Sequence, residues 1–98
     1  MLWKKNAFEI VDKLQKKEIK PSEVLISLKS RCDEINPKIN ALPTIVIDKI
    51  IENVINIEKR STSLKGNLFG LPIPIKDSYP VKNVKTTFGS LAYKNYFP

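Results

Sequence analysis

Between Gly70 and Lys76 proline alternates with branched apolar residues, as Leu71-Pro72-Ile73-Pro74-Ile75, and that pattern forbids a helix there. Each proline lacks the N–H that an i→i−4 bond needs, and its ring collides with the carbonyl one turn back. Proline is equally excluded from the middle of a paired sheet, so the segment is expected to be extended, either at an edge or as a strand entering a buried site. Everything else has to be built beside a stiff apolar segment that ends in an ammonium group, Lys76, and a carboxylate, Asp77.

Upstream the texture is helical. Ala7, Phe8, Ile10, Val11 and Leu14 recur at helical spacing over residues 7–17, with Asn6 where an N-cap belongs. A second helix is predicted from Lys20-Pro21-Ser22-Glu23, with Pro21 in the first turn, where its missing N–H costs nothing. Val24, Leu25, Leu28, Cys32 and Ile35 carry its apolar stripe to Asn36-Pro37, and the proline is expected to end it. Residues 41–47 are short, β-branched and bounded by turn formers, which predicts a strand or extended connector. From Asp48 helical spacing returns, with Ile50, Ile51, Val54, Ile55 and Glu58 on an apolar face with a charged back that closes near Ser61. Residues 61–67 are polar and contain Gly66, a loop. Residues 77–90, with Pro80, Asn83, Thr86, Thr87 and Gly89, form a long irregular stretch of the kind that is either functional or unsupported by the rest of the chain.

A chain of 98 residues, 42% of them apolar, suffices for one small domain with a modest core. Residues 1–40 would supply two helices, residues 41–60 the extended segment and third helix, and residues 61–98 a loop, the proline-rich segment and a following loop. No apolar run approaches the roughly 20 residues of a membrane span. Glu9, Asp12 and Lys13 interrupt the apolar positions after Lys4 and Lys5, so no signal-peptide core forms and a cytoplasmic location is expected. Cys32 is the only cysteine and histidine is absent, which rules out an internal disulfide and a Cys/His zinc site; neither metal nor cofactor is expected. The net charge of +7 comes from nine basic against six acidic residues in 1–40, four against three in 41–66 and four against one in 67–98. With no basic block, no nucleic-acid or membrane partner is expected. The sequence stops at Tyr96-Phe97-Pro98, aromatic and without a polar tail, so it is expected to be part of a longer chain.

Lys76 is the first candidate for chemistry. Acting as a neutral base near pH 7 requires a lysine about 3 units below its usual 10.4, roughly 4 kcal/mol of bias from burial. On composition alone, a lysine at a strand end more often snorkels to solvent.

The wider spacing changes that balance. Leu68-Phe69-Gly70-Leu71-Pro72-Ile73-Pro74-Ile75-Lys76-Asp77, then Val84-Lys85-Thr86-Thr87-Phe88-Gly89-Ser90, closely resembles the first signature block of the amidase-signature family. Gly70, Pro72, Lys76, Asp77, Thr86, Thr87, Gly89 and Ser90 match the block without a gap, a coincidence on the order of once in 10¹⁰ windows at typical residue frequencies. The upstream helices, Asn36-Pro37 and Asn40-Ala41 resemble the family's N-terminal region, so the likeness covers nearly the whole chain. It departs at Asn67, where proline is usual, and at Asn83, where glycine is common; asparagine tolerates the left-handed backbone a glycine would supply.

The resemblance implies an α/β fold, helices around a mixed β-sheet, of which this chain would be an incomplete N-terminal portion. It implies a Ser–Ser–Lys relay that hydrolyses carboxamide C–N bonds, with Lys76 as the lysine. Both serines and the oxyanion-hole donors belong to a Gly/Ser-rich segment that these 98 residues lack, so the chain alone is expected to be inactive. Asp77, Thr86, Thr87, Gly89 and Ser90 are expected to support the site as a loop, with Asp77 orienting Lys76 or the loop by accepting backbone hydrogen bonds. Ser78 and Ser90 lack the Gly-flanked setting of the nucleophile. Cys32 is read as core, and Trp3, Tyr93, Tyr96 and Phe97 as surface that the rest of a longer chain would cover. The implied partners are that remainder and a small amide substrate. Two alternatives stay open: the amidase-like subunit of the tRNA-dependent amidotransferase, and a non-catalytic helical interaction module.

Overall fold

A computed structural model describes residues 1–60 and 66–98, and their regular structure is helical throughout. A 3₁₀ turn at Leu2–Lys4 precedes three α-helices, α1 (Ala7–Gln15), α2 (Pro21–Ile39) and α3 (Ile47–Arg60), and a second 3₁₀ turn, Leu91–Tyr93, follows much later.

Asn6 caps α1, in agreement with its position before the apolar stripe. Its side chain accepts the Glu9 N–H at 2.9 Å while the Glu9 carboxylate accepts the Asn6 N–H at 2.9 Å, a reciprocal capping box. The helix stops at Gln15 rather than running to residue 17. Lys17 takes the left-handed conformation, φ +58°, and the N–H groups of Lys17 and Glu18 reach back to the carbonyls of Leu14 and Lys13 at 3.1 and 3.0 Å. This is the Schellman stop with lysine where glycine is usual, which is why the sequence does not announce it. The buried face is also narrower than the apolar pattern: Ile10 and Leu14 are buried, whereas Phe8 is 81% exposed.

Helix α2 starts with Pro21 in its first turn, and the Glu23 carboxylate accepts the Lys20 N–H at 3.2 Å. It does not end at Pro37 but passes through it to Ile39. Pro37 falls in the last turn, where only one internal bond is lost, and Asn36 compensates by clasping Leu42: its Nδ2 donates to the Leu42 carbonyl at 3.0 Å and its Oδ1 accepts the Leu42 N–H at 2.9 Å. Asn40, φ +47°, then turns the chain out of the helix.

Residues 41–46 form an irregular connector that bends at Pro43 and Thr44 and is not a strand, and α3 begins at Ile47, which is buried. Helix α3 lies against α2, and its Glu58 reaches the start of that helix: Ser22 donates its N–H and its hydroxyl to the Glu58 carboxylate at 2.8 and 3.0 Å. The carboxylate thereby satisfies a donor left over in the first turn of α2 and meets the positive end of the helix dipole. The loop expected over residues 61–67 lies largely outside the described residues.

Ile10, Leu14 and Val24 form the core cluster, with Leu2, Ile19 and Leu71 packed around it. Leu71 thus ties the proline-rich segment to the helices. Gly70 makes that approach possible: φ is +88°, and a Cβ there would stand 2.9 Å from Pro21 Cγ and 3.3 Å from Leu14 Cδ1. Cys32 is buried in α2, as its place on the stripe predicts.

The mixed sheet implied by the resemblance is not present among the described residues. Residues 71–76 form neither helix nor turn, as the prolines require, and no strand lies beside them among the described residues. A strand is held by its neighbour's ladder, and these residues have none. The Cα radius of gyration is 14.7 Å, against about 13 Å for a compact 100-residue domain. No described helix is long and apolar enough to cross a membrane.

Candidate functional site

The proline-rich segment leaves the core at Leu71 and is exposed from Ile73 to Lys76. Lys76 therefore stands in solvent, and the burial a lysine base would require is not supplied by the described residues. Its carbonyl accepts the Tyr79 N–H at 3.0 Å, which starts a turn directly after it.

Asp77 is the junction of the two halves of the motif. One carboxylate oxygen accepts the Thr87 N–H at 2.8 Å and the other accepts the Thr87 hydroxyl. The Thr87 hydroxyl and N–H, helped by the Gly89 and Phe88 amides, hold the Asp77 carboxyl below its ordinary value of 3.8. Hydrogen bonds to the ionised form stabilise it and outweigh the opposing effect of partial desolvation.

Around this bond the loop is held by its own backbone. Thr86 is buried at 2% exposure; its hydroxyl donates to the Val84 carbonyl at 3.1 Å and its N–H to the Tyr96 carbonyl at 3.0 Å. The Thr87 hydroxyl accepts the Gly89 N–H at 3.3 Å, and the Thr87 carbonyl accepts the Ser90 N–H at 2.9 Å. Ser90 caps the second 3₁₀ turn by accepting the Ala92 N–H at 3.2 Å. All the residues expected to support the site thus share one hydrogen-bonded loop, anchored beside Lys76 through Asp77.

One of the two departures from the motif has a local explanation. Asn83 adopts φ +63°, the left-handed value a glycine would supply, and its N–H reaches the Pro98 carbonyl at 2.9 Å. The Asn67 carbonyl accepts a hydrogen bond from the Gln15 side chain at 3.1 Å, fastening the motif to the end of α1. Two features carry no signal in the sequence. Phe88 has φ +53° beside Gly89 at φ +70°, and the Tyr96 backbone partners Thr86 across the loop. Rings of Phe88, Tyr93 and Tyr96 cluster with centroids 5.2 to 6.1 Å apart, all three partly exposed.

Among the described residues no group of acidic or cysteine side chains is arranged to hold a metal ion. The site is a lysine, a carboxylate–threonine latch and a loop of hydroxyls.

The amidase family model matches residues 23–98, and the chain belongs to that family. Among curated relatives, the A subunit of glutamyl-tRNA(Gln) amidotransferase from Sulfurihydrogenibium sp. (strain YO3AOP1) is 38% identical over 99% of this chain and 20% of its own length. The Persephonella marina protein of the same name is 33% identical over the same shares, and a Clostridium acetobutylicum counterpart is 35% identical over 97% of this chain and 20% of its own. The chain therefore spans about a fifth of the length of the curated relatives it matches. No solved structure matches it.

Proposed function

We propose that these residues supply the lysine of a Ser–Ser–Lys amidase, and specifically of the subunit that releases ammonia from glutamine for the tRNA-dependent amidotransferase. The observation that carries this reading is the likeness of nearly the whole chain to subunits so named, 38% identical in the first case. In this mechanism the unprotonated Lys76 amine takes a proton through a bridging serine while the nucleophilic serine attacks the amide carbon. The C–N bond breaks, the proton passes to the leaving nitrogen as ammonia, and water then hydrolyses the acyl-serine. Both serines and the oxyanion-hole donors would come from residues outside 1–98, as would the other strands of the mixed sheet and the cover that desolvates Lys76. The exposure of residues 73–76 supports that division, because a β-branched and proline segment open on both faces is suited to be covered by neighbours.

The test is a chimera in which residues 1–98 replace the matching fifth of the Sulfurihydrogenibium protein, produced together with that enzyme's other subunits. The chimera should release ammonia from glutamine, and Lys76→Ala should lower kcat by about a thousandfold or more while the thermal midpoint stays unchanged. A Lys76→Ala chimera with full activity would remove the lysine from the chemistry.

A further inference from the structure

On the basis of that reading, we infer that Asp77 is a positioning residue that aims Lys76 through its latch on Thr87. The lysine's own surroundings do little to hold it: residues 73–76 are exposed, and the Tyr79 N–H on its carbonyl is the adjoining backbone tie. One residue further on, the restraint is strong. Neither Asp77 oxygen is spent on the neighbouring ammonium; both are taken by Thr87, one by its N–H at 2.8 Å and the other by its hydroxyl.

Thr87 is itself fixed from both sides. Its hydroxyl accepts the Gly89 N–H, its carbonyl accepts the Ser90 N–H, and the adjacent Thr86 is buried with its N–H on the Tyr96 carbonyl. A continuous set of bonds therefore runs from the residue after Lys76 into the body of the loop. Asp77 is the first central residue of the turn closed by the Tyr79 N–H on the Lys76 carbonyl, so holding its side chain on the loop fixes the backbone from which Lys76 projects. A proton acceptor displaced by about 1 Å can cost on the order of a hundredfold in rate, so an anchor one residue away acts on turnover and not only on folding.

The same chimera tests this with Thr87→Val, Thr87→Ser and Asp77→Ala, read against Lys76→Ala. Thr87→Val, nearly isosteric but without the hydroxyl, should lower kcat by about tenfold or more with KM within about twofold. Thr87→Ser, which keeps both donors, should restore most of that loss, and Asp77→Ala combined with Thr87→Val should be no worse than the poorer single variant. Parental kcat in Thr87→Val overturns the positioning role, as does a loss that appears in KM, that Thr87→Ser shares, or that follows a fall in folded enzyme. If Thr87→Val is fully active while Lys76→Ala is dead, the latch fails and the amidase reading stands. If Lys76→Ala is active, both fail.

Discussion

Gly70 shows how much one residue can carry. Its left-handed φ and its 2.9 Å clearance to Pro21 leave no room for a methyl group, so Gly70→Ala should destabilise the chain by about 1–3 kcal/mol, measured as a lower urea midpoint. Asn83 carries only the first of those constraints, and Asn83→Val should cost about 1 kcal/mol in the same measurement while Asn83→Gly stays near neutral. The Asp77 latch has a pH signature whose sign follows from its cause. Because folding lowers the Asp77 pKa, its contribution is complete above the unfolded value of 3.8 and is lost as pH falls through the lowered folded value. Carboxyl NMR should therefore show Asp77 titrating below 3.8, and Thr87→Val should return it toward that value. Asn6, Pro21, Asn83 and Cys32 were legible from residue type, because each acts through its own geometry or polarity. Lys17 and Phe88 were not, since lysine and phenylalanine at positive φ are imposed by the turns that surround them.

The docking of α3 on α2 depends on polar contact as well as on apolar burial. Glu58 holds two donors of Ser22, so Glu58→Ala should cost about 1–3 kcal/mol and Glu58→Gln less, with a coupling to Ser22→Ala visible in a double-mutant cycle by denaturant titration. Periodicity located all three helices, because helical spacing of apolar residues is a local property. Their ends were less visible. The stop at Gln15 and the passage through Pro37 depend on hydrogen bonds made by Glu18 and by Asn36, which no count of apolar residues contains.

Across the whole molecule the core is small and much apolar surface is open, including Ile73, Ile75, Leu91 and Phe97 at 57 to 87% exposure. Residues 1–98 alone should bind a hydrophobic dye and associate with rising concentration, as read by fluorescence and sedimentation, and should hydrolyse no amide above background. The alternating prolines by themselves determined that residues 71–76 form no helix, because ring geometry needs no partner, and the gapless motif singled out Lys76 and Asp77. Whether that segment joins a sheet could not be read locally: ladder bonds come from another strand, and none is present among the described residues. Only the tertiary structure brought Asp77 onto Thr87, because a hydrogen bond between residues ten apart exists once the intervening turns have closed.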